Sequence, residues 1–341
     1  MSSMMQRQWQ VAARPVGRPL RDDDFELALT PVAEPGPGEV LVRTAYLGFD
    51  PAQKSWMENA AGYMEPVEIG GVVPGTAAGV VVDSRHPDFA PGEAVFGHIG
   101  WREYAAVRGE TLDKAPDGVA LDAVLSVLAG TGRTAYLALM KVGRPVAGDT
   151  LVISGAAGAT GSLVGQLGKI AGCRVIGIAG GPEKCAWLTD ELGFDAAIDY
   201  KNEKVRARLR DLCPSGVDIF FDNVGGEILN DVLARLAPRA RVVICGGISR
   251  YNFDPRSQEM PPGPRNYFNV VFTGASIQGF LATHYRHDFP EADSRLADWV
   301  RGGQIKARAD MVHGFENAPA ALMRIFEGRN VGKQLLKVAD L

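Results

Sequence analysis

The clearest indication of the fold comes from residues 150–167, which read TLVISGAAGATGSLVGQL. The β-branched run up to Ser154 predicts a strand, the glycine-rich segment 155–161 predicts a tight turn, and the spacing of the apolar residues after it predicts a helix. A dinucleotide pyrophosphate needs this geometry, because it binds N–H groups at a helix N-terminus where no Cβ intervenes. The glycine spacing departs from the common G-x-G-x-x-G, so the turn by itself fits either a cofactor site or an ordinary βα turn.

Strands and helices alternate after residue 150, which predicts a doubly wound parallel sheet of about six strands. Ligands of such sheets bind at the carboxyl ends of the strands. Apolar runs predict further strands at 174–179, 197–199, 217–222, 241–245 and 276–280. Helices are expected at 159–171, 182–192, 204–210, 296–301 and 318–326, and a last strand at 334–338.

The part of the chain before residue 120 has a different pattern, with short strands at 39–43, 79–82 and 94–97 and Pro-Gly turns between them. This spacing predicts a β-rich, partly closed barrel, followed by a helix from Leu121 to Gly143. We therefore predict that residues 1–126 and 303–341 form one domain and residues 127–302 an inserted nucleotide-binding domain. The active site is expected in the cleft between them.

Composition and charge exclude several classes of partner. The chain has 341 residues and a net charge of −4, which is typical of a two-domain globular protein without a nucleic-acid or anionic-membrane surface. The basic run 204–210 fits the exposed face of a helix. We see no apolar stretch near the ~20 residues of a membrane span and no secretion signal. The four cysteines lack C-x-x-C spacing, which favours reduced thiols in the cytoplasm.

The sequence offers no metal centre and no serine nucleophile. No cysteine precedes Cys173, so the barrel lacks the Cys/His set of a catalytic zinc site. His284 and His287 lie one helical turn apart, which fits a surface helix start better than a metal pair, and no G-x-S-x-G elbow occurs. Hydride transfer without a metal needs a substrate that is already an electron sink, such as a C=C bond conjugated with a carbonyl.

The end of the second nucleotide-domain strand bears on the choice of cofactor. An NAD-binding unit has an Asp or Glu here that binds the ribose 2′-hydroxyl, whereas this chain has Ala179 and Gly180. Small residues leave room for a 2′-phosphate, and Lys184 follows as a point charge. Glu183 could bind the ribose 2′-hydroxyl, as the acid of an NAD-binding unit does, if its loop turned inward. We predict NADPH rather than NADH.

Motifs along nearly the whole chain resemble those of one known family. It is the zinc-independent medium-chain dehydrogenase/reductases, in particular the NADPH-dependent prostaglandin (leukotriene) reductases, the alkenal and enone double-bond reductases and the bacterial curcumin reductases. The matching stretches are QW (8–9), ARPVG (13–17), DP (50–51), WM (56–57), TAY (134–136), SGAAGATGSLVGQ (154–166), ELGFDAAIDYK (191–201), FDNVGG (221–226), CGGISRYN (245–252), PPGPRNY (261–267), QGF (278–280) and GRNVGKQ (328–334).

The resemblance implies a Rossmann doubly wound parallel sheet inserted in a β-rich, GroES-like catalytic domain. It implies a homodimer that reduces the C=C bond of small-molecule enones or enals with NADPH. Gly158, Ala159, Thr160 and Gly161 would hold the pyrophosphate, and Lys184 and Tyr200 the 2′-phosphate. The rest of the cofactor would contact Asn223, Cys245, Gly246, Ile248, Tyr251, Phe280, Leu281, Ala282 and Asn330.

The proton donor stays open between two tyrosines and water. The resemblance places Tyr251 near the nicotinamide ribose and Tyr63 in a loop over the substrate, although either ring fits a plain packing role as well. Two positions depart from the family pattern near the expected cleft, Lys54 in place of arginine and Arg133 in place of an apolar residue. A quinone reductase with the same cofactor site and a non-catalytic nucleotide-binding protein are the alternative functions.

Overall fold

The computed structural model describes residues 4–254 and 256–340. The chain divides into two compact units, one made of Met1–Gly130 with Ala307–Leu341 and the other of Thr131–Lys306. The sequence predicted the corresponding boundaries after residues 126 and 302. In the prediction and in the structure, the second unit is inserted into the chain of the first. Each unit has a sheet of its own.

The strands, in chain order, are β1 (Met5–Val11), β2 (Phe25–Pro31), β3 (Glu39–Gly48), β4 (Thr76–Ser84), β5 (Ala94–His98), β6 (Tyr104–Arg108), β7 (Leu112–Lys114), β8 (Thr150–Ser154), β9 (Arg174–Ala179), β10 (Ala196–Asp199), β11 (Val217–Asp222), β12 (Leu236–Ile244), β13 (Ser276–Gly279), β14 (Ala309–His313) and β15 (Lys333–Lys337). The helices are α1 (Ala52–Met57), α2 (Leu121–Ala123), α3 (Gly130–Leu137), α4 (Ala159–Ile170), α5 (Pro182–Ala186), α6 (Val205–Leu212), α7 (Gly226–Leu233), α8 (Asn269–Thr273), α9 (Phe289–Arg301) and α10 (Ala318–Phe326). Short π-helical segments at Val124–Leu128, Ala138–Gly143 and Trp187–Glu191 continue α2, α3 and α5, and 3-10 turns occur at Ile248–Arg250 and Ala282–Asp288.

The second unit contains a six-stranded sheet in the order β10-β9-β8-β11-β12-β13, with parallel pairing throughout. The chain starts at the centre with β8, builds outward to β10, and then returns to the other side with β11. This is the doubly wound Rossmann order, so the predicted fold class is confirmed. The strand order reverses between β8 and β11, and ligands of such sheets bind at the carboxyl ends of the strands at that point.

Continuous apolar runs put the central strands of this sheet in the core. Val152, Ile176 and Phe220 are fully buried in one cluster with side chains from α6 and α7. Helices cover both faces of a parallel sheet, and its strands are therefore apolar at successive positions rather than at alternate ones. The edge strand β13 differs, because all four of its residues are exposed.

The first unit is built on a sheet in the order β14-β15-β3-β4-β5-β7, with β6 also paired to β3, and a separate β1-β2 hairpin. Strand β15 from the end of the chain pairs with β3, so the tail completes the sheet of the N-terminal part, as the sequence predicted. Trp101 is fully buried, stacks on Phe25 at 5.5 Å between ring centroids and meets Phe49 edge-on at 5.1 Å. These aromatic contacts fix the core of the unit.

Some element boundaries differ from the sequence predictions. β12 begins at Leu236 instead of residue 241, and α9 begins at Phe289 instead of residue 296. Pro238 and two arginines interrupt the apolar pattern of β12, and charged residues dominate the exposed first turns of α9, so neither start carries a clear hydrophobic signal.

One helical run, Leu121–Gly143, is long and apolar enough to cross a membrane by length and composition, with a mean hydropathy of 1.3. The expectation that no apolar stretch approaches the length of a membrane span is therefore wrong. In the structure 72% of the apolar window is buried. A core helix of a globular protein passes the same test, so this run is weak evidence for a span.

Candidate cofactor site

The turn between β8 and α4 requires glycine at two positions. Gly155 has a φ of +59°, in the left-handed region that other residues rarely adopt. A Cβ on Gly161 would overlap the carbonyl oxygen of Gly155 and lie 2.8 Å from Cα of Ala156. Since those are backbone atoms, α4 approaches the turn this closely only because residue 161 has no side chain.

The N-terminus of α4 has a donor set that fits a pyrophosphate. Gly158 is the N-cap, and Ala159, Thr160 and Gly161 form the first helical turn, whose N–H groups have no acceptor within the helix. All three lie on a helix of 12 residues, whose dipole places partial positive charge at this end. The structure brings these four predicted residues together at the point where the strand order reverses.

Ser154 and Asn223 link the ends of β8 and β11. The Asn223 N–H donates to Ser154 Oγ at 2.8 Å, and its Nδ2 donates to the Ser154 carbonyl at 2.8 Å. Ser154 Oγ in turn donates to Asp222 Oδ1 at 2.7 Å. Asn223 is half-buried and bonded to the strand that leads into the phosphate turn.

Asp222 organises the carboxyl ends of three strands. Its Oδ1 accepts hydrogen bonds from the N–H groups of Val224 at 3.0 Å and Gly225 at 2.9 Å, and its carbonyl accepts from Cys245 at 2.9 Å and Gly246 at 3.0 Å. Burial raises the pKa of the Asp222 carboxyl. Burial and the neighbouring Asp222 charge also raise the pKa of the Cys245 thiol to about 12, so this cysteine is a neutral thiol at physiological pH.

The ends of β9 and β10 meet around Gly180. A Cβ on Gly180 would lie 2.9 Å from Cε1 of the Tyr200 ring, so the ring packs directly against the backbone at the end of β9. The Asp199 carboxylate accepts hydrogen bonds from the Gly181 N–H at 2.8 Å and the Lys201 N–H at 3.1 Å. The bond from Gly181, with help from Asn202, holds the pKa of the Asp199 carboxyl below its ordinary value.

Lys184 and Glu183 lie on the first turn of α5, directly after this loop. Lys184 is half-buried, whereas Glu183 is exposed to solvent. Pro182 occupies the N-terminal turn of α5, where a missing N–H costs nothing, so the sequence starts the helix here. Lys184 and Tyr200, the two predicted 2′-phosphate residues, therefore both follow strands at the same edge of the sheet.

The segment after β12 carries the remaining predicted residues of this unit. Ile248 begins the 3-10 turn, and half-buried Tyr251 caps it with its N–H bonded to the Ile248 carbonyl at 3.3 Å. Asn252, which the sequence analysis did not assign, has a buried Oδ1 without a hydrogen-bond donor. Such an acceptor fits a ligand that brings its own donor.

Phe280 follows the edge strand, next to the end of β12. Its N–H donates to the Ile244 carbonyl at 3.0 Å, and its ring stacks on Tyr285 with the centroids 5.1 Å apart. Leu281 and Ala282 come next, at the start of the second 3-10 turn. The structure thus places all three at the carboxyl edge of the sheet.

Tyr63 and Asn330 belong to the first unit. The Tyr63 ring is exposed, and its hydroxyl accepts a hydrogen bond from Trp56 Nε1 at 3.1 Å. Asn330 is buried, and its Nδ2 donates to the Gly332 carbonyl at 2.9 Å. The proton-donor and nicotinamide roles of these two residues stay predictions.

Two family descriptions match this chain. One, described as the N-terminal domain of oxidoreductase, matches residues 7–115, and the other, described as zinc-binding dehydrogenase, matches residues 159–298. The chain is 40% identical to the NADPH-dependent curcumin reductase of Escherichia coli (strain K12), over 98% of this chain and 97% of that protein. It belongs to the medium-chain dehydrogenase/reductases.

Other members of the family agree with this assignment and with the resemblance in the motifs. The chain is 37% identical to the 2-alkenal reductase (NADP(+)-dependent) of Nicotiana tabacum, over 89% of this chain and 88% of that protein. The structure of CurA in complex with NADPH from Vibrio vulnificus superposes with a TM-score of 0.90 at 38% identity, and the match covers 98% of this chain and 100% of that chain. The predicted family is confirmed.

The two departures from the pattern of this dehydrogenase/reductase family are both engaged in ion pairs. Lys54 is fully buried, pairs with Glu58 one turn further along, and donates to the Pro15 carbonyl at 3.0 Å. Arg133 binds Asp293 through two bonds of 2.8 and 2.6 Å. Both charges are therefore bonded within their own units.

The family description mentions zinc, but the donor set here does not resemble a zinc site. Within residues 4–254 and 256–340, no three His, Cys, Asp or Glu side chains are grouped to hold a metal ion. Asp50, two residues after the end of β3, accepts a hydrogen bond from Lys333 Nζ at 2.6 Å.

Sequence reasoning missed Asp199 and Asp222, which position the predicted residues of this medium-chain dehydrogenase/reductase. Each is the last residue of a buried parallel strand, and a carboxylate at such a position accepts bonds from the N–H groups of the turn that follows. The acid at the end of an apolar run was visible in the sequence. Its partners from other strand ends, Ser154 for Asp222 and Gly181 for Asp199, were not visible, because they are distant in the chain.

Proposed function

We propose that this protein reduces the C=C bond of α,β-unsaturated ketones and aldehydes with NADPH, without a metal ion. The observation that carries the proposal is the phosphate turn at the reversal of strand order, with small residues and lysine in place of an acid at the end of β9. The curcumin reductase, the alkenal reductase and the CurA complex support it, since NADPH or NADP is named for each of them.

The residues at the end of β9 favour NADPH over NADH. Gly181 leaves open space there, Gly180 lets the Tyr200 ring and Lys201 lie close to the backbone, and the Asp199 carboxylate is bonded to backbone N–H groups of the loop. Lys184 supplies positive charge, and Tyr200 supplies a hydroxyl donor. Both groups can bind a 2′-phosphate, whereas a 2′-hydroxyl has no negative charge for the lysine to bind.

When NADPH is bound, its nicotinamide would supply a hydride for the β-carbon, which is the electrophilic end of the conjugated carbonyl. The chain then has to stabilise the negative charge that develops on the carbonyl oxygen. A tyrosine hydroxyl donates one hydrogen bond to such an oxygen, and we assign this role to Tyr251. The α-carbon takes its proton from Tyr63 or from water.

Isotope labelling tests the reaction itself. We expect deuterium from labelled NADPH at the β-carbon of a simple enone, and deuterium from heavy water at the α-carbon, measured by NMR of the product. Label on the carbonyl carbon would show an alcohol dehydrogenase. Turnover of a quinone but of no enone would favour the quinone reductase, and no oxidation of NADPH with either substrate would favour a binding protein.

Replacement of Lys184 tests the cofactor. We expect Lys184→Ala to raise KM for NADPH at least about ten-fold and to leave KM for NADH nearly unchanged, because a charge-assisted hydrogen bond contributes roughly 1.5–3 kcal/mol. Steady-state kinetics with both cofactors measure this. Equal use of NADPH and NADH by the parent enzyme would contradict the assignment.

Activity is also expected to survive removal of metal. After prolonged dialysis against a strong chelator, kcat for an enone should stay within the error of the untreated enzyme, since the candidate residues hold no metal-ligand set. Elemental analysis provides the second measurement. About one zinc per chain, lost together with activity, would overturn this expectation.

We propose that the protein is a homodimer joined through the edge strand β13. Its four residues are exposed, and α8 beside it exposes Phe272 by 77% and Val271 by 64%. Unpaired edge groups bind another strand, and two copies of the same strand pair around a twofold axis.

Light scattering tests the dimer and should give twice the 36.5 kDa mass of one chain. Phe272→Glu should give monomers. Val146→Glu, at a residue exposed elsewhere on the unit, should leave the dimer intact. A monomeric parent would refute the dimer.

We propose a cytoplasmic location because the cysteines are free thiols. All four cysteines are free in the structure, and none is fully exposed. Such thiols persist in a reducing compartment. Fractionation of the source cells tests this, and recovery of the protein with a membrane or secreted fraction would reject it.

A further inference from the structure

Lys201 lies over the carboxyl end of β9, beside Tyr200. A Cβ on Gly180 would lie 3.0 Å from Cε of Lys201 and 2.9 Å from the Tyr200 ring, so both side chains occupy the space above this glycine. The ammonium group is bonded directly to Cε and is therefore held near the same point. The side chain of Lys201 is otherwise exposed to solvent, where a ligand can reach it.

The backbone at this point is fixed by a buried carboxylate. Asp199 accepts hydrogen bonds from the N–H groups of Gly181 and Lys201 at Oδ1, and from Asn202 Nδ2 at 2.7 Å. One carboxylate thus joins the loop after β9 to the turn after β10. These bonds fix the backbone of Lys201 beside Gly180, so its side chain starts next to the end of β9.

The Asp199 carboxylate would repel a phosphate bound nearby, so more than one cation is needed to bind that phosphate. A phosphate monoester carries a charge of about −1.5 to −2 at neutral pH, and an ionised Asp199 nearby repels it. Lys184 on α5 offsets only part of this repulsion. A second ammonium between the carboxylate and the phosphate would offset the rest.

We propose that Lys201 is a second cation for the 2′-phosphate of NADPH and determines specificity for NADPH over NADH. The inference rests on the proposed function, because it assumes a nicotinamide dinucleotide on the sheet edge. The end of β9 is where the ribose 2′-substituent lies in this fold. Tyr200 and Lys201 lie beside Gly180 at this end, and Lys184 follows on the first turn of α5.

Binding titrations test the proposal without turnover. The dissociation constants of NADPH, NADH and adenosine 2′,5′-bisphosphate are measured by calorimetry for the parent and for Lys201→Ala. We expect weaker binding of NADPH and of the bisphosphate by about 5- to 20-fold, with NADH unchanged within two-fold. Lys201→Arg should retain most of the affinity, because it retains the charge. Lys204→Ala, an exposed lysine three residues further along, is the matched control and should change nothing.

A second variant tests the geometry rather than the charge. Gly180→Ala places a methyl group 2.9 Å from the Tyr200 ring and 3.0 Å from Lys201 Cε, so the ring must shift and Lys201 must give way slightly. We expect a lower ratio of NADPH to NADH affinity, although every lysine is still present. Unchanged NADPH affinity in Lys201→Ala, with a loss in Lys184→Ala, would overturn the role of Lys201 and leave the proposed function intact. Equal affinity of the parent for NADPH and NADH would overturn the cofactor assignment itself.

Discussion

Tyr251→Phe is expected to lower kcat for an enone by about 10- to 100-fold and to change KM much less, which is at or below the lower end of the roughly 100- to 10,000-fold that one positioned acid–base side chain contributes. The substitution removes only the hydroxyl. An interaction that forms mainly as negative charge develops on the substrate oxygen stabilises the transition state more than the bound substrate. The loss therefore appears in kcat.

The structure supports the choice of Tyr251 over Tyr267 of the same unit. Its backbone is held at the end of the 3-10 turn after β12, and it directly precedes Asn252, whose buried oxygen lacks a donor. Both features place it in the loop at the carboxyl edge of the sheet. Tyr267, by contrast, is exposed beside α8.

Steady-state kinetics with saturating NADPH provide the measurement. Tyr104→Phe, which removes a hydroxyl from β6 in the first unit, is the control and should keep the parent kcat. Full activity of Tyr251→Phe would end the assignment of this residue but not of the reaction. Tyr63→Phe would then separate the remaining donors, because a loss would indicate Tyr63 and full activity would indicate water.

Gly161→Ala is expected to weaken NADPH binding by at least about 100-fold, because it costs more than one charge-assisted hydrogen bond of roughly 1.5–3 kcal/mol each. The new Cβ would overlap the Gly155 carbonyl oxygen and lie 2.8 Å from Cα of Ala156. Backbone atoms cannot move aside as a flexible side chain does, so the turn and the start of α4 must separate. The N–H groups of that first turn then lose their common direction.

Overpacking of this kind also destabilises the fold, by about 1–3 kcal/mol. Calorimetric titration with NADPH and thermal unfolding measure the two effects separately. Gly130→Ala is the control, because a Cβ there meets nothing within 4 Å and alanine favours a helix over glycine. A Gly161→Ala protein with the parent's NADPH affinity would show that phosphate does not bind at this turn.

Much of the fold and part of the site follow from the sequence alone. The β-branched run before Gly155 and the periodic apolar residues after Gly161 specify strand, turn and helix locally, because each period suits one backbone geometry. Repetition of that unit predicts the parallel sheet and its phosphate-binding edge. Ala179 and Gly180 predict the preference for NADPH because no acid stands there.

Only the tertiary structure shows which polar side chains form hydrogen bonds or ion pairs within the protein. Ser154 and Asp222 are separated by 68 positions, yet they share the hydrogen bond that joins β8 to β11. Lys54 and Arg133 depart from the family pattern, and the structure shows that both are bonded inside their own units. The sequence assigned no role to Lys201, whereas the structure places its side chain beside Gly180. Periodicity determines which face of an element is buried, but the partner of a polar side chain depends on which distant strand lies beside it.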